Sequence, residues 1–401
     1  MTGTTIAQAI PIAISPILTR IYTPEDFGIF ALYMSIASLL SVIATARYEL
    51  AIMLPKKDED ATNIVALSLL ISFVVSSISF VLLYIFNAHI TELLENPEIS
   101  IWLYFIPFSV LLTGIYQSFN YWNNRKKHYK LLAVNRVVRS GATAASNLGM
   151  GLYGFGSSGL IVGGLIGQGI ATSLLTKTTY KENKHRIKEI KKLKILALMK
   201  RYKKLPIFNL PNALIDGFRL LVITVFIAKF FTTATLGQFS LAWKMVQAPM
   251  SLIGSSLSQV FFQKVASAQR RELYTIMKQF IIKASMVSLP IFLIIYFFAV
   301  DIFTIIFGEN WKLAGEVASA LSPWLFLNFL TSPLSTIFIV LNRQESVLVF
   351  AIFYMIVPLS IILIYRNIDF IEMLEILSFS MSIMLMLFIG MLTYYTKKEQ
   401  R

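Results

Sequence analysis

The stretch from Ile17 to Pro55, ILTRIYTPEDFGIFALYMSIASLLSVIATARYELAIMLP, decides the class of this chain. A polar turn from Arg20 to Asp26 opens an apolar run that begins at Phe27. The run stops at Pro55-Lys56-Lys57, and Arg47 and Glu49 sit late within it. An apolar run longer than about 18 residues is long enough to cross a bilayer as a helix, which satisfies its own backbone. Ionised groups inside such a run are costly, so each needs a partner, a wet cavity or a function. Arg47 and Glu49 are two residues apart, and on a continuous helix they point to different sides without pairing.

The composition agrees with a membrane protein. Of 401 residues, 56% are hydrophobic and only 14% charged, against about a quarter charged in soluble domains. Spans, not soluble domains, are therefore the units to count. The absence of cysteine excludes disulfides, thiol catalysis and cysteine metal sites. The net charge of +15 reads as a basic membrane face, with no nucleic acid implied. His89, His128 and His185 are scattered and form no metal set. No G-x-x-x-x-G-K phosphate loop is present, so ATP is not the drive within this chain, and no cofactor is implied.

Apolar windows of about 20 residues fall at 3–20, 27–54, 62–86, 100–120, 131–153, 157–176, 206–229, 236–262, 280–300, 314–341, 346–365 and 371–396. Lys and Arg separate the loops between them into two sets. One set carries 26 cations, the opposite set only Arg20, Lys229, Lys312 and Arg366. The positive-inside rule then places both termini in the cytoplasm. The expected fold class is an all-α integral membrane protein with twelve transmembrane helices. The basic segment 177–205 divides it into an N-terminal six-helix lobe, 1–176, and a C-terminal six-helix lobe, 206–401.

The lobes echo one another. Phe27-Gly28-Ile29-Phe30-Ala31-Leu32 aligns with Leu236-Gly237-Gln238-Phe239-Ser240-Leu241, and the same offset pairs Arg20 with Lys229. An even number of spans per lobe makes this a parallel repeat with a pseudo-two-fold axis along the membrane normal. In the linker, Ile187, Ile190, Leu193, Leu196 and Met199 recur at helical spacing among lysines. That pattern is an amphipathic helix lying on anionic membrane lipids.

Charged residues within the windows are the site candidates. Arg47, Arg136, Arg139, Arg219 and Lys244 are cations that suit a central cavity taking a phosphorylated substrate, since guanidinium binds phosphate oxygens as a bidentate fork. Arg136 and Arg139 are one turn apart and share a helix face. Glu49 and Asp216 serve either ion coupling or charge balance, the latter being the commoner use. Asp216 and Arg219, at i and i+3, are equally well read as a pair that neutralises itself. Lys283, near a span end, reads as snorkelling to the interface. Gly159, Gly163 and Gly167 form a small-residue stripe for close helix packing. Pro107, Pro249, Pro290, Pro323, Pro333 and Pro358 interrupt later spans, and Trp102, Trp122, Trp311 and Trp324 read as interface anchors.

Several strings also carry a family resemblance: TRIYTPEDFG from Thr19, RYELAIMLP from Arg47, LGQFSLA from Leu236, FGENWKLAG from Phe307 and LSPW from Leu321. Together they resemble the bacterial polysaccharide-transport proteins, the lipid-linked oligosaccharide (O-antigen type) flippases of the multidrug/oligosaccharidyl-lipid/polysaccharide exporter superfamily. The resemblance implies a non-enzymatic flippase in the bacterial cytoplasmic (inner) membrane. It would move undecaprenyl-pyrophosphate-linked repeat units of O-antigen, capsule or a related glycan by alternating access. Its implied partners are that lipid-linked substrate, a polysaccharide polymerase and glycosyltransferases. The family carries a short tail before the first span, so a few N-terminal residues are expected to be missing. A drug/cation antiporter of the same superfamily is the alternative, disfavoured because intramembrane arginines outnumber acids. A membrane-embedded polymerase or ligase needs larger outward loops than 87–99 and 300–313 provide.

Overall fold

The computed structural model of the protein describes residues 2–341 and 343–400. The side chains at positions 2, 212, 216, 249, 251–253, 255, 256, 259, 339 and 344 lie outside that description. The chain is helical throughout: α1 Thr2–Ile21, α2 Pro24–Val42, α3 Asp58–Leu93, α4 Ile99–Leu103, α5 Ile106–Arg125, α6 Tyr129–Leu152, α7 Ser157–Asn183, α8 Lys192–Arg201, α9 Lys204–Phe230, α10 Thr233–Ser267, α11 Leu273–Phe307, α12 Lys312–Leu334, α13 Thr336–Val340, α14 Gln344–Ile364 and α15 Phe370–Lys398. Apart from the short α4, α8 and α13, each long helix occupies one of the twelve expected windows. Among the described residues, nine helical stretches are long and apolar enough to cross a membrane, and the protein is a multi-pass all-α membrane protein. Of the other long helices, α6 carries Arg136 and Arg139, α9 carries Arg219, and α10 carries Lys244.

The second window departs from the expected continuous helix. Its start is well signalled: Thr23 Oγ1 accepts from Asp26 N at 3.2 Å, Asp26 Oδ2 accepts from Thr23 N at 2.9 Å, and Pro24 fills the first turn. But α2 ends at Val42, and Ala46 and Arg47 adopt left-handed backbone, φ 46° and 64°. A 3-10 turn, Tyr48–Met53, then carries the chain to Pro55. Left-handed conformation costs non-glycine residues about 1 kcal/mol or more each, which the buried surroundings of Ala44, Ala51 and Ile52 offset. Pro107 likewise begins α5 instead of interrupting it.

By packing, the chain divides into residues 1–229 and 230–401. In the first unit α6 packs on α1 and α7, α5 lies against both α3 and α7, and α2 packs on α5 and α7. The α6–α7 seam explains the glycine stripe. A Cβ at Gly159 would stand 2.4 Å from Tyr22 Oη, at Gly163 1.9 Å from Asn147 Oδ1, and at Gly167 1.9 Å from Thr143 Oγ1. Only glycine admits that approach.

The basic segment is not one helix lying free. Residues Lys184–Glu189 form a 3-10 turn, the chain extends at Ile190 and Lys191, and α8 follows. Leu198 of α8 is buried with Ala51, Ile52, Ala61, Ile64, Val65 and Trp122, and Tyr48 Oη donates to Met199 O at 3.0 Å. The acidic first turn of α3 completes the attachment. Lys194 Nζ lies 2.6 Å from Glu59 and 3.2 Å from Asp60, and Arg186 3.4 Å from Asp58. Ile187, Ile190, Leu193 and Leu196 stay exposed, as an interfacial helix requires. The strap thus keeps an apolar face outward while one leucine and several ion pairs hold it to the helices.

In the second unit α12 packs on α10, α11 and α15. Its core joins Phe261, Val265, Met277, Ile337, Phe338 and Phe388. Trp311 is fully buried and Trp324 only 8% exposed. Both therefore belong to the interior and not to an interface belt, because hydropathy reports depth along a span and not which way a ring faces.

Candidate functional site

The polar concavity of the first unit lies between α1, α2, α5, α6 and α7 and encloses about 370 Å³. Its apolar wall is Pro11, Phe30, Met34, Ala37, Ile161 and Leu165. Its polar wall is built from hydroxyls and one amide: Tyr33, Ser38, Ser41, Ser109, Thr113, Ser140, Thr143 and Gln168. The amide organises that wall. Gln168 Nε2 donates to Thr113 Oγ1 at 2.7 Å and to Ser109 O at 3.1 Å, while its Oε1 accepts from Ser109 Oγ at 3.3 Å. Gln168 and Ser109 are buried, so these bonds fix donors and acceptors in a low-dielectric setting where each is costly to leave unmade.

Arg139 supplies the charge. It is the cation among the described lining residues, and its side chain is exposed. Its guanidinium stands 5.4 Å from the ring centre of Tyr116 on α5, a cation–π contact that orients the group without neutralising it. No carboxylate among the described residues pairs with it. A guanidinium beside a row of hydroxyls binds phosphate oxygens or sugar hydroxyls.

The other predicted residues have separate surroundings. Arg136 Nη1 donates to Thr4 Oγ1 of α1 at 2.8 Å, so the two α6 arginines share a face but reach different helices. Arg47 and Glu49 do pair, at 3.7 Å, contrary to the expectation from a straight helix. The left-handed turn at Ala46 and Arg47 swings the guanidinium back over the 3-10 turn. Glu49 is buried and also accepts from Thr45 Oγ1. Arg219 of α9 is half-buried, with Gly217 nearby against Leu39 of α2. The Asp216 side chain lies outside the described residues. Lys244 belongs to the second unit, where it is exposed and follows Trp243, whose ring stacks on Phe239 and meets Trp324 at a tilt.

Sequence reasoning missed the hydroxyl and amide wall. Its signal was present: Ser109 and Thr113 at i and i+4 in α5, and Gln168 in α7, are polar groups inside apolar runs. Two of the strings that carried the resemblance turn out to be joined. Gln238, from LGQFSLA, donates to Asn310 O at 2.5 Å and accepts from Ala314 N at 3.0 Å, both in FGENWKLAG. They fix a loop end, as the Thr23–Asp26 box fixes another.

The fold has solved counterparts. A multidrug resistance MATE family transporter of the MOP superfamily, in an inward-facing conformation, superposes with TM-score 0.71 at 13% identity, covering 99% of this chain and 94% of its own. The lipid II flippase MurJ, in an inward closed conformation, gives TM-score 0.72 at 14% identity, covering 100% and 88%. A MOP superfamily transporter from Pyrococcus furiosus gives 0.58 at 14%, covering 100% and 95%. No curated protein matches the chain. The family model for polysaccharide biosynthesis proteins matches residues 17–315, most of the chain and nearly all of the unit that holds the pocket. With that match on a MOP-superfamily fold, the chain belongs to the polysaccharide biosynthesis protein family.

Proposed function

We propose that the protein is a flippase for lipid-linked oligosaccharides: it carries undecaprenyl-pyrophosphate-linked repeat units of a surface glycan across the bacterial cytoplasmic membrane, with both termini on the cytoplasmic side. The observation that carries this reading is the pocket around Arg139, where one uncompensated guanidinium meets a wall of fixed hydroxyls and an amide. A pyrophosphate or its first sugar satisfies both kinds of group, and neither step breaks a covalent bond. Family membership supports the polysaccharide context, and the likeness to MOP-superfamily transporter folds supports a cycle of alternating access. Arg136, Arg219 and Lys244 are further cations on which the phosphates could ride as the substrate crosses. A drug/cation antiporter suits this pocket less well, because its charged lining is cationic.

Deleting the gene in its own host tests the reading. Lipid-linked repeat units then accumulate on the cytoplasmic leaflet, and the surface glycan disappears. Complementation with Arg139→Ala leaves glycan export reduced at normal membrane levels of the protein. Accumulation of single repeat units on the outer leaflet instead would assign the chain to polymerisation and end the flippase reading.

A further inference from the structure

The second unit holds a long groove between α10 and α11. These two helices follow one another in the chain, yet both pack on α12 more than on each other. The cleft between them contains two cavities, of about 320 and 250 Å³, and Val287 of α11 and Phe329 of α12 line both. Where these meet, one groove runs along α11 to Phe307. Beyond Lys283 the polar lining group among the described residues is Ser288, whose hydroxyl is already spent on Ala284 O at 2.8 Å. The rest is aliphatic and aromatic, so this part of the groove suits hydrocarbon.

One end has a different lining. Lys264 of α10 and Lys283 of α11 border the same cavity, with Gln279 beside them. Both lysines are exposed, and neither forms an ion pair among the described residues. Lys264 and Ile276 also border an open polar basin of about 710 Å³, lined further by Arg271, Glu272 and Thr275. A basin, a cation pair and an apolar groove therefore adjoin in that order, each sharing lining residues with the next.

Charge and length together select the occupant. Two lysines without a carboxylate select an anionic head, held by charge-assisted hydrogen bonds. From Lys283 to Phe307 the groove follows about 36 Å of helix. A glycerophospholipid with its head at the lysines ends its acyl chains near the bilayer midplane, roughly 15 Å in. It leaves the half of the groove beside Ile302, Phe303 and Ile306 unfilled. A polyprenyl chain outreaches the bilayer thickness and fills the whole length.

We infer that the α10–α11 groove binds the polyprenyl tail of a lipid-linked saccharide, with the pyrophosphate at Lys264 and Lys283 and the sugars over the basin. The inference rests on the flippase reading for the chemistry of the carrier, and it adds a site in the second unit to the Arg139 pocket in the first.

Full-length protein in phosphatidylcholine nanodiscs tests it, with labelled undecaprenyl pyrophosphate as the probe. Farnesyl pyrophosphate, which has the same head on a much shorter tail, is expected to compete about tenfold more weakly, since between hydrocarbons only packing contacts distinguish the tails. Lys264→Gln with Lys283→Gln, both on the exposed surface where folding is insensitive, lowers affinity about fivefold per lysine. Val287→Trp blocks the groove where its two cavities meet. It removes the preference for the long tail and leaves the dependence on the lysines. Arg139→Ala leaves all of these effects in place. Equal competition by farnesyl pyrophosphate, full competition by phosphatidylglycerol, or unchanged affinity in the double lysine variant overturns the proposal. So does loss of probe binding in Arg139→Ala, which would assign the binding to the other pocket. Any of these results with glycan export intact in the host strikes the groove alone. Probe binding as expected, in a host whose deletion strain accumulates repeat units on the outer leaflet, strikes the flippase reading instead.

Discussion

Asn63 holds the backbone at Lys191 from both sides: its Oδ1 accepts from Lys191 N at 2.9 Å, and its Nδ2 donates to Glu189 O at 2.9 Å. The same nitrogen also reaches Glu59 O at 2.8 Å within α3. Asn63 is wholly buried, so one side chain fixes the only extended residues between the 3-10 turn and α8. Asn63→Leu removes these bonds and strands a backbone N–H, a cost of about 1–3 kcal/mol. Hydrogen exchange of residues 186–201 should then accelerate, with exchange in α6 and α7 unchanged.

Acid should loosen the same strap. Asp58 stands at the first residue of α3, a helix of 36 residues. That is about 54 Å, well beyond the ~30 Å hydrocarbon core, and its acidic end lies in water. Lys126, and then Arg125, hold the Asp58 carboxyl below its ordinary value of 3.8, against burial, which raises it. A depressed folded value means stability that is present above 3.8 and lost as pH falls through the lower one. Protonation of Asp58 also removes the partner of Arg186 in the strap, 3.4 Å away, so pepsin cleavage within 184–201 should rise as pH drops below 3.8, and Asp58→Asn should show that susceptibility at every acid pH.

The Arg47–Glu49 pair gives a test of structural against transport roles. Arg47→Ala leaves a buried carboxylate with only Thr45 as partner. A fully buried pair costs about 3–5 kcal/mol when broken this way. Here the guanidinium is 26% exposed, so about 2–3 kcal/mol is expected, read as a fall in Tm. Adding Glu49→Gln should restore most of it. Glycan export that stays absent after stability returns would give Arg47 a place on the substrate path.

Gly163→Ala should destabilise by about 1–3 kcal/mol, because the new methyl overlaps Asn147 Oδ1 and meets Asn147 N at 3.0 Å. Gly169→Ala on the same helix finds nothing within 4 Å and should be neutral, or stabilising by up to ~1 kcal/mol. Thermal unfolding of the two variants side by side reads the difference.

The all-helical membrane class and the approximate limits of the long helices were legible because hydropathy over some 20 residues is a local property. The break after Val42 was not. Ala44 to Arg47 contains no glycine or proline, and its left-handed turn is imposed by burial around Ala44 and Ile52, which no local signal records. Docking of the strap was hidden for the same reason, since Leu198 looks like any other leucine on an amphipathic face. Arg139 was found because a guanidinium in an apolar run is conspicuous. Its hydroxyl neighbours were overlooked because Ser and Thr scarcely lower mean hydropathy. Arg47 and Glu49 were separated by a rule that was sound for helices and inapplicable to the turn they occupy.

The seam between α6 and α7 sets a mechanical limit on this molecule. Main chain lies against side-chain stubs at three successive turns, with Tyr22 bolted to Asn147 O at 2.6 Å beside them. Neither helix can rotate or slide by a residue without steric collision, so the two behave as a single strut. Arg136 and Arg139 are carried on that strut, and their spacing is a constant of any transport cycle. Pro11 and Pro16 lie inside α1, and each removes a backbone N–H donor there, which puts compliance in that helix. A cross-link between α6 and α7 should therefore be silent, whereas one fixing α1 to α6 should arrest turnover.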